Sequence, residues 1–140
     1  MAVTGGAREL FRMMIDAPDH TPLCGSDDSQ LGARIPGGPQ QSGQIDITPD
    51  TTGVVHPNSG GMSTAADHPR FLPPHFRPRT LGGRADFPCF AIFDSQLGPT
   101  LQARRTSGRH FGVEPASSMP LAAYQGNLCK TRMLWRLYDE

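Results

Sequence analysis

The sequence predicts an α+β domain of short strands closed by one C-terminal helix, and three observations carry that reading. Sixteen glycines and fourteen prolines, about a fifth of the 140 residues, interrupt the chain too often for long helices. Residues 87–93 read as the best central strand: Pro88 can stand at its start, and Cys89, Phe90, Ala91, Ile92 and Phe93 form a nearly continuous apolar run. Leu121, Tyr124, Leu128, Trp135 and Tyr138 recur at helical spacing, supplemented by Leu134 and Leu137. They predict an amphipathic helix over 119–138, with Ser118 as N-cap and Pro120 in the first turn. At 15.1 kDa the length is that of a single domain spanning 1–140.

The remaining elements follow in order. Residues 8–15 form an apolar run broken by Arg12, a first strand or a short helix, stopped by Asp16, Pro18 and Asp19. Residues 16–52 are dominated by Asp, Gly, Pro, Ser and Gln, with Ile45-Asp46-Ile47 as the only alternating pattern. They predict a long variable loop that waits for a ligand or partner. Residues 53–57 make a brief strand that delivers the turn Asn58-Ser59-Gly60-Gly61. Pro69, Pro73, Pro74 and Pro78 forbid a regular helix across the next stretch, and Arg70, Arg77 and Arg79 make it the most basic part of the chain. Residues 101–106 read as an edge strand, and Ser107-Gly108 turns the chain into 110–115. There His110, Gly112 and Glu114 share one face while Phe111 and Val113 share the other. The C-terminal stripe, Trp135 included, reads as core.

Charge and composition exclude several classes. Thirteen basic and thirteen acidic residues cancel, so no global field draws the chain to nucleic acid or anionic lipid. No apolar run suits a signal peptide or a membrane span. The chain is expected to be cytoplasmic, with no membrane partner, and to leave a cell only by a route without a signal peptide. Cys24, Cys89 and Cys129 lie far apart without CxxC spacing and are odd in number, so each is expected to be a small apolar residue in a reducing compartment. The five histidines lack the spacing of a zincin, and no metal site is expected. Gly61-Met62-Ser63-Thr64-Ala65 lacks the last glycine of a nucleophile elbow, and no long helix follows it.

What remains is the dispersed set Arg12, Ser63, His110 and Glu114, at or beside short strands. An arginine fork can hold a diphosphate, a serine hydroxyl can orient a ribose, and a carboxylate can stabilise a cationic sugar. Together they point to cleavage of a nucleotide N-glycosidic bond. Singly, each also fits a plain role: a surface arginine, a turn serine, a core histidine and a solvated strand-end glutamate.

The order Leu10-Phe11-Arg12, then Gly60-Gly61-Met62-Ser63, then His110-Phe111-Gly112-Val113-Glu114-Pro115-Ala116 with Met119 resembles the family of small type VI secretion toxins with a mono-ADP-ribosyltransferase fold. The resemblance implies two small, mostly antiparallel sheets forming a cleft, with the helix closing it. It implies NAD as the bound dinucleotide, loss of nicotinamide, and transfer of ADP-ribose to an unknown macromolecular acceptor. By the same resemblance Phe11, Arg12, Ser63 and Thr64 contact NAD; from the residues themselves, Gly61 of the Gly-Gly turn lets a ligand approach the backbone, and Arg77 and Arg79 of the basic block are candidates for its diphosphate or for a phosphate-bearing acceptor. Glu114, Ser63 and His110 are the catalytic set, with Glu114 the nearest match to the family's glutamate. A cognate immunity protein is a further implied partner.

Two other readings stand beside this one. The same fold can serve an RNA 2'-phosphotransferase-like or other nucleic-acid-modifying enzyme, which neutral charge disfavours. The chain can also be a non-enzymatic binding or immunity protein whose proline-rich block is the recognition surface.

Overall fold

The structure, a computed structural model, describes residues 7–27, 29–38, 45–73, 77–83 and 87–138. Its first strand, β1 (Glu9–Met13), settles the strand-or-helix ambiguity at the N-terminus. The predicted central strand is β4 (Cys89–Phe93), antiparallel to β1 over five residue pairs, from Glu9 opposite Phe93 to Met13 opposite Cys89. Alternation along these strands sends Leu10, Met14, Phe90 and Ile92 into the main core. It sends Phe11, Met13, Cys89 and Ala91 into a smaller cluster on the other face. Cys89 is a buried core residue as expected, and burial pushes its thiol up to about 12.

Between these strands lie β2 (Val54–Val55) and β3 (Met62–Ala66). After β4 come β5 (Leu101–Ser107), β6 (His110–Pro115) and β7 (Met119–Pro120), then α1 (Leu121–Lys130) and β8 (Arg136–Leu137). Six strands form one sheet in the order β5-β6-β3-β1-β4-β8, and β2 pairs with β7 in a two-stranded ribbon. The expectation of two small sheets is corrected to one large antiparallel sheet plus this ribbon. The large sheet is nonetheless barely continuous. Between β1 and β3 only Leu10 with Ala66 and Phe11 with Ala65 are in register, after which the strands diverge. The sheet is therefore two three-stranded halves, joined at one end and split at the other.

The C-terminal helix is shorter than predicted. It ends at Lys130, and only Tyr124 and Leu128 of its residues are buried. Thr131 stops it by donating its hydroxyl to the Leu128 carbonyl and accepting the Trp135 indole N–H at 3.0 Å. A short 3-10 turn then leads into β8, which pairs with β4 through Leu137 and Arg136. The chain leaves the helix because the outer edge of β4 carries backbone groups that need partners. Trp135 is core, as its spacing implied.

One further expectation is overturned. Cys24 and Cys129 form a disulfide across a separation of 105 residues, so they are not separate apolar residues. Their Cα atoms stand 5.6 Å apart, inside the range a disulfide spans, and only the fold brings them together. The 16–52 region lacks regular secondary structure among its described residues, yet it is packed: Leu31, Ala33 and Ile47 are core residues. Isolated bridges pin it, Cys24 to Leu31 and Ile47 to Gly60. Gln125 of α1 holds both the N–H and the carbonyl of Ala33 at 2.9 Å.

Candidate active site at the split in the sheet

Where β1 and β3 part, polar side chains replace the missing strand pairing. The Arg12 guanidinium is buried and donates to the Ser63 carbonyl at 2.8 Å and, through Nη2 and Nε, to the Gln30 carbonyl at 2.9 and 3.2 Å. It thus ties β1 to β3 and to the segment that crosses the split. That segment supplies Arg34 and Asp46, whose side chains are 4% and 2% exposed. Their pairing is bidentate, Nη2 to Oδ1 at 2.8 Å and Nε to Oδ2 at 3.0 Å, the geometry that suits a buried arginine–carboxylate pair.

Ser63 reaches this pair from β3. Its Oγ donates to Asp46 Oδ1 at 3.1 Å, accepts from Arg34 Nη2 at 3.2 Å, and lies 3.1 Å from His110 Nε2. The other ring nitrogen of His110 bonds to the Thr106 hydroxyl. Sheet register explains the meeting. Ser63 stands opposite Gly112, and His110 opposite Ala65, so no bulky neighbour separates serine from histidine on their shared face. Two glycines bring the crossing segment and β6 close. Gly60 has φ of 126°, and a Cβ there would lie 2.1 Å from the Asp46 carbonyl oxygen; one on Gly61 would lie 2.6 Å from that of Val113. The Tyr124 hydroxyl adds a clamp, accepting from Met62 N–H and donating to the Val113 carbonyl. Burial pushes that phenol above its ordinary range.

Burial also pulls His110 below the usual histidine value, with Asp46 opposing and Arg34 reinforcing the shift. Burial thus disfavours the charged form of the ring. Glu114, on the same face of β6 as His110 with Gly112 between them, is 1% exposed. It accepts the Asn58 N–H at 3.2 Å, Gln102 Nε2 at 2.5 Å and Arg104 Nε at 2.8 Å. None of these donors bonds to Ser63 or His110. The fold unites Ser63, His110 and Arg12, and it gives Glu114 a neighbouring pocket of its own beneath the β5 edge.

The family model for the Tse2 ADP-ribosyltransferase toxin matches residues 8–135. The chain belongs to the Tse2 ADP-ribosyltransferase toxin family. No curated protein matches it at a significant level. The family match runs from β1 to Trp135 and contains every residue of both polar groups. ADP-ribosyltransferases as a class take NAD as substrate and pass ADP-ribose to an acceptor. Among the described residues no helix is long and apolar enough to cross a membrane.

The other residues expected to contact NAD lie as follows. Phe11 is buried, edge-on to Tyr138 at 5.1 Å. Thr64 is buried with its hydroxyl on the Phe111 carbonyl. Arg77 donates to the Arg70 carbonyl, and its Nε is buried with no hydrogen-bond partner. Arg79 opens an exposed 3-10 turn. His75, in the same proline-rich block, lies outside the described residues. Sequence reasoning missed Arg34, Asp46 and Thr106. A lone charged side chain in a glycine-rich loop reads as solvated, although the alternation of Ile45-Asp46-Ile47 was a signal that Asp46 sits in packed structure.

Proposed function

We propose that this toxin cleaves NAD at the bond between nicotinamide and ribose and passes the ADP-ribose to a macromolecular acceptor inside a bacterium. The C1'–N bond breaks with its electron pair leaving on nicotinamide. The acceptor's nucleophile attacks C1' and gives up its proton. Ser63 and His110 would line the nicotinamide side, and a ring whose charged form burial disfavours offers a hydrogen bond without repelling the cationic nicotinamide ring. Glu114 would stabilise the sugar's developing positive charge once Gln102 and Arg104, both on the β5 edge, swing aside. Gly61 serves the site by letting β6 lie close to the start of β3, since a side chain there would meet the Val113 carbonyl. Phe11, Arg12 and Thr64 serve the substrate indirectly, by fixing the strands that flank the split, their side chains being engaged in the interior. Arg77 fits the diphosphate, because its buried Nε is a donor lacking an acceptor, with Arg79 beside it in the same block. Delivery by type VI secretion and neutralisation by an immunity protein belong to the same reading.

The observation that carries it is the pairing of Ser63 with His110 at the split, in a chain whose family transfers ADP-ribose. Free nicotinamide measured after incubation with NAD is the direct test. Wild-type protein is expected to release it and to arrest a bacterial host on expression. Ser63→Ala and Glu114→Gln are each expected to cut release by about 100-fold or more. Full release by both variants would refute the assignment of these residues.

A further inference from the structure

A buried ion pair is a weak source of stability, since apolar residues of similar volume often do as well or better. The pairing of Arg34 with Asp46 is buried at both ends, and the Asp46 carboxylate is saturated. Oδ2 accepts the Arg34 backbone N–H and Nε, and Oδ1 accepts Arg34 Nη2 and the Ser63 hydroxyl. The last of these bonds matters most. A serine hydroxyl has one proton, and here Asp46 takes it. Arg34 and His110 therefore meet only the lone pairs of Ser63, so His110 can bond to Ser63 only with its hydrogen on Nε2.

We propose that Asp46 is a positioning residue for the transfer reaction, fixing the direction of the Ser63 hydroxyl and, through it, the tautomer of His110. This rests on the proposed roles of Ser63 and His110. Without the carboxylate the Ser63 proton is free to turn toward Nε2, and the ring hydrogen moves to Nδ1, facing Thr106. The charged groups facing His110 are Asp46 and Arg34 from the crossing segment, with the hydroxyls of Ser63 on β3 and Thr106 on β5 completing its surroundings. Loss of the Asp46 charge leaves burial and Arg34 unopposed.

The test follows the His110 ring nitrogens by NMR through a pH titration, in wild type and in Asp46→Asn, alongside nicotinamide release from NAD. Wild type is expected to carry its ring hydrogen on Nε2. In Asp46→Asn the titration midpoint should fall, the Nδ1–H form should become populated, and kcat should drop at least about tenfold with KM for NAD little changed. An unmoved midpoint and tautomer, or an unchanged kcat, would overturn the proposal. If Asp46→Asn does not fold, Arg34→Gln/Asp46→Asn replaces both ions with amides. Its midpoint should shift the same way by less, because Asp46 acts on His110 more strongly than Arg34 does. A wild-type chain that releases no nicotinamide would refute the proposed function, while the titration would still decide whether Asp46 governs His110.

Discussion

The two halves of the sheet are built on different chemistry. In the β1-β4-β8 half, β4 is flanked on both sides by partner strands, and Phe90, Ile92, Cys89 and Ala91 fill clusters on both faces. In the β5-β6-β3 half one face carries Met62, Phe111 and Val113, while the other carries Ser63, His110 and Glu114 among arginines. The first half is held by apolar area that depends little on any single partner. The second is held by specific hydrogen bonds whose partners come from elsewhere in the chain. Adaptable packing suits a scaffold, and exacting polar geometry suits a site.

Substitutions can break that contrast. The largest effects are expected from one change in each half. Asp46→Ala removes the buried carboxylate that Arg34 and Ser63 share and should cost about 3–5 kcal/mol. Phe90→Ala should cost about 3–5 kcal/mol by leaving a cavity. Urea unfolding measures both, and the difference lies in the His110 titration, which only the first should move. Next comes the pairing of Cys24 with Cys129. Its removal as Cys24→Ser/Cys129→Ser should cost about 2–4 kcal/mol, seen as a lower Tm that reductant no longer alters.

A smaller effect concerns pH. His110 has a folded-state value below its ordinary 6.5, so just below that pH the unfolded chain binds a proton that the folded ring refuses. Stability should therefore rise with pH through the window beneath 6.5 and level off above it. In His110→Gln that part of the slope in a pH series of melting curves should vanish. Smallest of all is Arg8→Ala, which removes an exposed pairing with Asp67 and should shift stability by less than about 1 kcal/mol.

The same contrast explains what could be read from the sequence. β4, the edge strand β5 and the alternation of β6 were legible because each is announced by its own residues. The core role of Trp135 was legible for the same reason, although the helix carrying the stripe ends at Lys130, before Trp135. Ser63 and His110 could be singled out by residue type and setting. Their link to Asp46 and Arg34 could not, since it joins Ser63 to positions 17 and 29 residues away through a segment without periodicity. The disulfide was hidden likewise. Two half-buried cysteines 105 residues apart leave no local trace, and an odd total argued against them.

The long outer strand β5 has a consequence for solubility. Its seven residues leave one side without a strand partner in the sheet, a shape that invites a second chain to add on. Arg104 and Arg105 sit in the middle of that edge, the first on Glu114 and the second over the Phe111 ring, where two cations oppose the approach of another copy. Arg104 thus guards against aggregation while it covers the carboxylate beneath it. The same side chain therefore serves two ends, closing over Glu114 and keeping a cation on the outer strand.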